Sequence, residues 1–321
     1  MTADAQPKTV PYHFLGPPGT FNPTLLLFIG GFTLLIGSTY AHYQLSLPAW
    51  CSFVANTLAL HFAGTVIHDA CHGVAHRNRI ANAILGHGSA LMLGFAFPVF
   101  TRVHLQHHAA VNDPENDPDH YVSTGGPLWL IAPRFFYHEV FFFRRQLWRK
   151  LELLEWFLSR VYLVSLIVCA CRFGFIHYVL NFWFVPALIV GTTLGFFFDY
   201  FPHRPFHERN RWRNARVYAN PVLNILILGQ NYHLIHHLWP SIPWYKCEPA
   251  HHAVKPLLDA KNCHQKIGIF QRKGFLGFIY DFFLGVRFEH PASIDAAVDS
   301  SPNLVADATE VEPEKALVES V

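Results

Sequence analysis

The chain has 321 residues, 51% hydrophobic and 16% aromatic but only 14% charged, against roughly 25% charged in soluble domains. That balance excludes an ordinary soluble domain and indicates a membrane protein. A net charge of +2 calls for no nucleic-acid partner, and the six cysteines form no C-x-x-C pair, so zinc-ribbon, thioredoxin-like and iron–sulfur chemistry lack support.

The first 23 residues are weak in pattern and lack the charged start and cleavage site of a signal peptide; they are expected to form an N-terminal cytoplasmic segment. Residues 24–41, TLLLFIGGFTLLIGSTYA, carry no charge, and 47–67, LPAWCSFVANTLALHFAGTVI, follow after a short uncharged link. Each can cross a hydrocarbon core of about 30 Å. Residues 80–100, IANAILGHGSALMLGFAFPVF, are also long enough. A single crossing there would separate the first two histidine clusters across the membrane, so an interfacial or re-entrant segment is expected. Residues 156–171 are apolar apart from Arg160, and no Lys, Arg, Asp or Glu lies between Arg172 and Asp199. A shorter apolar stretch covers 219–229. From 291 to 321 the chain is acidic and poor in aromatics, the composition of a disordered tail.

The expected fold is therefore an all-α integral membrane protein, with four transmembrane helices in two hairpins within a domain spanning 24–290. Lys and Arg fall almost entirely in 68–155 and 200–290, while the proposed outer turns, 42–46 and 172–175, hold one basic residue, Arg172. The positive-inside rule puts the basic side, and every histidine cluster with it, on the cytoplasmic face.

Four clusters lie on that face: HDACH (68–72), HLQHH (104–108), HRPFH (203–207) and NYHLIHHLW (231–239). On a helix, positions i and i+4 share a face, so these spacings converge imidazoles. The candidate ligands are His68, His72, His104, His107, His108, His203, His207, His233, His236 and His237, too many for one metal ion and suited to two. Clustered neutral imidazoles without a metal would leave acceptor nitrogens unpaired in an apolar setting. A ligand set this rich in nitrogen suggests a pair of irons with positions open for dioxygen. The carboxylate-rich di-iron pattern is unsupported, because the one E-x-x-H, Glu248 to His251, stands alone.

Single histidines such as His13, His42, His138 and His264 read as ordinary surface or core residues. His61 and His76 are candidates for the shell around the ligands. In VNDPENDPDH (111–120) the Asn-Asp-Pro repeats are turn formers, yet Asp113, Glu115, Asp117 and Asp119 stand beside a cluster, where carboxylates can accept the second ring N–H of a ligand. Asp69 and Asp199 are candidates on the same grounds. RNRWRNAR places Arg209, Arg211, Arg213 and Arg216 between the third and fourth clusters, either as a juxtamembrane basic band or as a dock for an acidic electron donor. The chain has no G-x-G-x-x-G after a strand and no haem segment, so electrons are expected from outside, with a ferredoxin-type donor.

With these clusters the sequence resembles the membrane fatty acid desaturase/hydroxylase superfamily, whose histidine boxes take the forms H-x(3,4)-H, H-x(2,3)-H-H and a final H-x(2)-H-H. Over about 60–288 it looks like the cyanobacterial-type β-carotene hydroxylases within that superfamily, through HDACHGVAHRNR, FPVFTRVHLQHHAAVNDPENDPDH, STGGPLWLIAPRFFYHEVFFF, FDYFPHRPFHERNRWRNARVY and LGQNYHLIHHLWPSIPWYK. The resemblance implies a non-haem di-iron monooxygenase, with a histidine-rich cap above four spans in a plasma or thylakoid membrane. It implies hydroxylation of carbon 3 of carotenoid β-rings, taking β-carotene to β-cryptoxanthin and zeaxanthin with O2 as co-substrate. The box histidines carry over onto His68, His72, His104, His107, His108, His233, His236 and His237. Related desaturases have Asn where His203 stands, so His207 is expected to ligate ahead of His203. FFYHEVFFF and NFWFVPALIV are expected either to wall the substrate channel or to face lipid.

Ligand spacing does not separate 3-hydroxylation from 4-ketolation of the ring or from fatty acyl desaturation. A histidine-rich metal transporter would need polar residues along the middle of its spans, and an intramembrane zinc protease would need H-E-x-x-H, which is absent because His207-Glu208 continues as Arg-Asn-Arg.

Overall fold

The computed structural model describes residues 9–267 and 272–286. Among the described residues the regular secondary structure is helical apart from one isolated bridge between Arg216 and His264. Four helices are long and apolar enough to cross a membrane: α1 (Pro23–Gln44), α2 (Ala49–Cys71), α7 (Lys150–Arg172) and α8 (Ile176–His203). Between α2 and α7 lie α3 (Arg79–Leu93), α4 (Phe97–Ala109), α5 (Pro118–Thr124) and α6 (Tyr137–Arg144). After α8 come α9 (His233–Leu238), α10 (Cys247–Ala260) and α11 (Arg272–Phe283). The acidic tail expected over 291–321 lies outside the described residues.

Helix α1 starts where Asn22 accepts the Leu25 N–H at 3.1 Å and Pro23 takes the first helical position, a pairing that satisfies one free N–H and needs none from the proline. It packs closely on α2 because Gly31 has no side chain; a Cβ there would meet the Ala59 carbonyl at 3.1 Å. Ser38 then donates to Asn56 Oδ1 at 2.6 Å across the same interface, the small-residue and polar contact typical of helices packed in lipid. The outward residues Leu26, Ile29, Phe32 and Ile36 are exposed and suit a lipid-facing surface.

The apolar stretch 80–100 does not make one straight helix. Gly94 adopts φ 79°, a left-handed conformation that favours glycine, and α3 and α4 meet there at 99°. The bend returns the chain to the end of α2 from which it left, since His104 on α4 lies 3.0 Å, nitrogen to nitrogen, from His72. The bent pair is a broken span or a re-entrant loop.

Helix α8 contains two π-helical segments, Leu180–Phe184 and Gly195–Tyr200. Each precedes a proline, Pro186 or Pro202, which lacks an N–H and crowds the carbonyl four residues back. The carbonyl freed by Pro186 finds another donor, Asn56 Nδ2, which donates to Phe182 O at 2.7 Å, and within the second segment the Tyr218 hydroxyl donates to Phe197 O at 3.2 Å. Such single-turn π segments concentrate at functional sites.

Beyond the spans, a second core packs Val217, Tyr232, Leu234, Ile235, Val254 and Leu258. The N-terminal segment, weak in sequence pattern, joins it: Val10 is buried there, Gly16 N–H bonds Ser241 O at 3.0 Å, and Thr20 O lies 3.0 Å from His76 Nε2. Helix α11 is tied in by the buried Asp281, which accepts from the Tyr200 hydroxyl and from Arg204 Nε.

Candidate metal centre

Nine histidines from four helix ends converge in two groups. The first holds His68, His72, His104 and His236, the second His107, His203, His233 and His237, with the four donor atoms of each group within 4.8 Å of one another. Helical spacing explains the division. On α4, His104 and His108 are one turn apart and face the first group, while His107 faces the second. Helix α9 does the reverse, giving His233 and His237 to the second group and His236 to the first. His68 and His72 come from the end of α2, and His203 from the end of α8. His108 sits against the first group, its Nε2 3.1 Å from His104 Nε2 and 2.9 Å from His236 Nε2.

The inward atoms are Nε2. His233 Nε2 lies 3.1 Å from His203 Nε2 and 3.0 Å from His237 Nε2, and His107 Nε2 lies 3.4 Å from His237 Nε2. The outward Nδ1 of His107 donates to Asp117 Oδ1 at 2.8 Å, and that of His203 to Asn214 O at 2.9 Å. A proton held on Nδ1 leaves the Nε2 lone pair free for a metal, which is how an outer acceptor fixes a ligand. Burial first, and then the neighbouring imidazoles, holds His233, His236 and His237 well below the usual histidine range; His72 comes down to about 3 for the same reasons. These rings are neutral at physiological pH, the state in which imidazole ligates.

The residues fit a pair of metal ions. Both ring nitrogens of His68 are buried without a hydrogen-bond partner, as is Nδ1 of His233, an arrangement that costs free energy unless something accepts the lone pairs. Imidazole donors suit iron, zinc, copper or nickel; burial lowers His107, but the carboxylates of Asp117 and Asp119 outweigh it and hold this ring up at about 9.

Asp117 holds the site by several bonds. Besides His107 it accepts Asp119 N–H at 2.9 Å and Asn112 N–H at 2.8 Å, capping α5. Asp119 Oδ2 stands 3.6 Å from His107 Nδ1, and its other oxygen takes His138 Nε2 at 2.8 Å. His138 had read as an ordinary lone histidine. It is instead a buried member of this network, and the only hint was the carboxylate run that supplies its partner.

Other expected residues fall elsewhere. His207 is exposed and belongs to neither group, so the expected order of His207 over His203 is reversed: α8 ends at His203 and Pro205 prevents the helical i, i+4 relation. His76 uses both ring nitrogens outside the centre, accepting Asn78 N–H at 2.9 Å and meeting Thr20 O. His61 Nε2 bonds Leu226 O at 2.9 Å. Asp69 accepts from Thr24 Oγ1 at 2.8 Å and Trp244 N at 3.3 Å, fastening α1 and the 244 turn to α2 rather than orienting a ligand. Asp113 caps its own turn and pairs with Arg209 at 3.1 Å. Asp199 is buried beside the centre, and its Oδ2 has no hydrogen-bond partner. Of the four arginines, Arg209 and Arg211 are exposed, Arg213 pairs with Glu208 at 3.2 Å, and Arg216 is buried with its guanidinium on Lys266 O and Arg204 O. Arg216 is thus unavailable to a docking protein.

Below the histidines lies a cavity of about 80 Å³, walled by Ile67, Phe100, Val190, Leu194 and Phe198, with His68, His104, His107 and His233 at its polar end. An apolar chamber opening on two four-imidazole groups, at one end of four apolar helices, defines a membrane protein with two histidine groups that could each hold a metal ion. The chain belongs to the fatty acid desaturase family, whose pattern matches residues 45–267, and family and spans together make it an integral membrane protein. Among curated relatives, the dihydrorhizobitoxine desaturase of Bradyrhizobium elkanii is 28% identical over 219 residues, 56% of this chain and 60% of the relative. The chain thus spans less than two thirds of that relative's length. Beta-carotene ketolases are similar too. That of Paracoccus sp. (strain PC1) is 28% identical over 68% of this chain and 85% of the ketolase, and that of Paracoccus sp. (strain N81106 / MBIC 01143) is 30% identical over 60% and 76%.

Proposed function

We propose that the protein is an O2-dependent carotenoid oxygenase that hydroxylates carbon 3 of β-rings, converting β-carotene to β-cryptoxanthin and then zeaxanthin. The observation that carries the O2-dependent part of this reading is the pair of four-imidazole groups opening on an apolar chamber; carbon 3 of the ring rests on the resemblance of the histidine-box segments to β-carotene hydroxylases. Each turnover consumes one O2, two electrons and two protons, and yields one ring alcohol and one water. The chemistry supplied by two bound irons is reductive use of O2 to oxidise an unactivated C–H bond.

The protein's own residues do the rest. Asp117 and the Asn214 carbonyl hold His107 and His203 as Nδ1–H tautomers with Nε2 turned inward. Phe100, Leu194 and Phe198 keep the reacting carbon in an apolar, water-poor space. The four spans form two hairpins with the centre on the cytoplasmic side of a plasma or thylakoid membrane. Electrons arrive from a ferredoxin-type donor that docks at the exposed Arg209 and Arg211.

A second reading, 4-ketolation of the same ring, is favoured by the two ketolase relatives. Expression in cells that accumulate β-carotene, followed by pigment extraction, separates the two. The expected pigments are 3-hydroxylated; 4-keto products would move the enzyme to the ketolase reading, and unchanged carotenoid with newly desaturated acyl chains would overturn both.

A further inference from the structure

A second, half-open apolar cleft lies farther along the same helices, away from the histidines, with the lipid-facing Phe32 and Ile36 at its outer rim. It measures about 760 Å³, within the 300–1,000 Å³ typical of small-molecule sites and far larger than the 80 Å³ beside the metal groups. Phe28 and Leu35 of α1, Leu91 of α3, Tyr162 of α7 and Val179 of α8 wall it, and the Phe173–Phe175 link lies at its end. Its polar edges are already bonded: Asn56 to Phe182 O and Ser38, Tyr178 to Thr39. Apart from the Tyr43 and Tyr162 hydroxyls the remaining lining is apolar, so an apolar occupant fits.

The two cavities lie in series. Along α2 the metal-side cavity is lined at Gly64 and the second at Asn56, eight residues or about 12 Å apart. Along α8 the order is the same, from Asp199 through Val190 and Ala187 to Trp183 and Val179. Trp183 stands at the change-over. Its Nε1–H donates to Met92 O at 2.7 Å, and its ring packs so near Gly94 that a Cβ there would lie 3.0 Å away. Trp183 belongs to the π segment created ahead of Pro186, just as Phe198 and Asp199 of the metal-side cavity belong to the π segment ahead of Pro202. Both irregular turns of α8 thus face this path.

We propose that the second cavity receives the end of the substrate remote from the metal groups, and that Trp183 is the specificity-determining residue that sets how far an apolar chain extends past the first cavity. This rests on the proposed carotenoid reading, because it requires a substrate too long for the first cavity. One end reacts beside the histidines; the rest runs past Trp183 between α1, α3 and α7. An acyl chain of a bilayer lipid is the competing occupant.

The test compares β-carotene with a truncated analogue carrying one β-ring on roughly half the polyene. Leu91→Trp and Val179→Phe each fill the second cavity while leaving every lining residue of the first unchanged. In the full-length, iron-loaded protein each should raise KM for β-carotene about tenfold, since added bulk in an occupied pocket is worth factors of ten or more, and leave the truncated substrate unchanged. Turnover of the truncated substrate also reports correct folding. Trp183→Ala should lower KM for β-carotene alone. A binding readout needs no metal: in Leu91→Cys, alkylation mapped by peptide mass should be blocked by β-carotene and not by the truncated analogue. Equal effects on both substrates, or an unprotected Cys at 91, would overturn the proposal and leave the cavity to lipid. Protection without any carotenoid product would instead overturn the proposed reaction and retain the cavity assignment.

Discussion

The two four-histidine groups share α4 and α9, with α2 completing the first and α8 the second, but are braced differently. In the second, His107 donates to Asp117 and His203 to the Asn214 carbonyl, and Asp117 is itself fixed by two backbone N–H groups. In the first, His68 has neither ring nitrogen bonded, and its ring instead packs edge-on against Phe198 of the apolar chamber. The groups differ in bracing and not in access, since the chamber reaches the first through His68 and His104 and the second through His107 and His233.

The largest effect should come from deleting a ligand in either group. His236→Ala and His107→Ala should each abolish product while the protein stays in the membrane, because the apolar spans do not depend on the centre. Pigment analysis with quantification of membrane-inserted protein checks this. Retained activity in either variant would remove that group from the chemistry.

Asp117→Ala should discriminate between the groups. Loss of the acceptor for His107 should weaken metal binding in the second group about 10- to 100-fold, with the first group left loaded. Iron per chain, measured during dialysis against a chelator, should fall from two towards one. Equal loss from both groups would show that the bracing is shared.

A smaller effect follows from pH. His72 drops from 6.5 in the unfolded chain to about 3 in the folded one, and His233, His236 and His237 are also lowered by burial. Below pH 6.5 the unfolded chain binds protons that the folded chain refuses, so stability falls as pH drops from 6.5 towards 3. Thermal melts of the metal-free protein in detergent should show this decline, and metal-loaded protein should resist it until the ligands are protonated. A flat profile for the metal-free form would mean that the rings are not buried as described.

Charge reversal at Arg211 should slow turnover driven by an acidic protein donor several-fold and spare turnover driven by a small chemical reductant, an effect that shrinks with added salt. His207→Ala should change least. A loss of activity there comparable with His107→Ala would restore His207 to the centre.

Much of this was legible in the sequence where a local rule applies. Charge-free runs mark the spans, and the i, i+3, i+4 spacing on α4 and α9 marks their ligands, because a helix fixes which side chains share a face. The rule fails where the helix stops. In HRPFH the spacing suits a helix but Pro205 does not, and only His203 reaches the second group; in HDACHGVAH the helix ends at Cys71, so His76 turns away. Contacts between distant segments were not legible either. Asp119 with His138, Asp69 with Trp244, and Trp183 with Met92 depend on packing that periodicity does not encode.

The central claim is that two groups of imidazoles hold two irons in one chain. Metal analysis of freshly purified, active, full-length protein tests it most directly. Two irons per chain are predicted, falling when Asp117 is replaced; one zinc per chain with no iron, in protein that still oxidises its substrate, would contradict it.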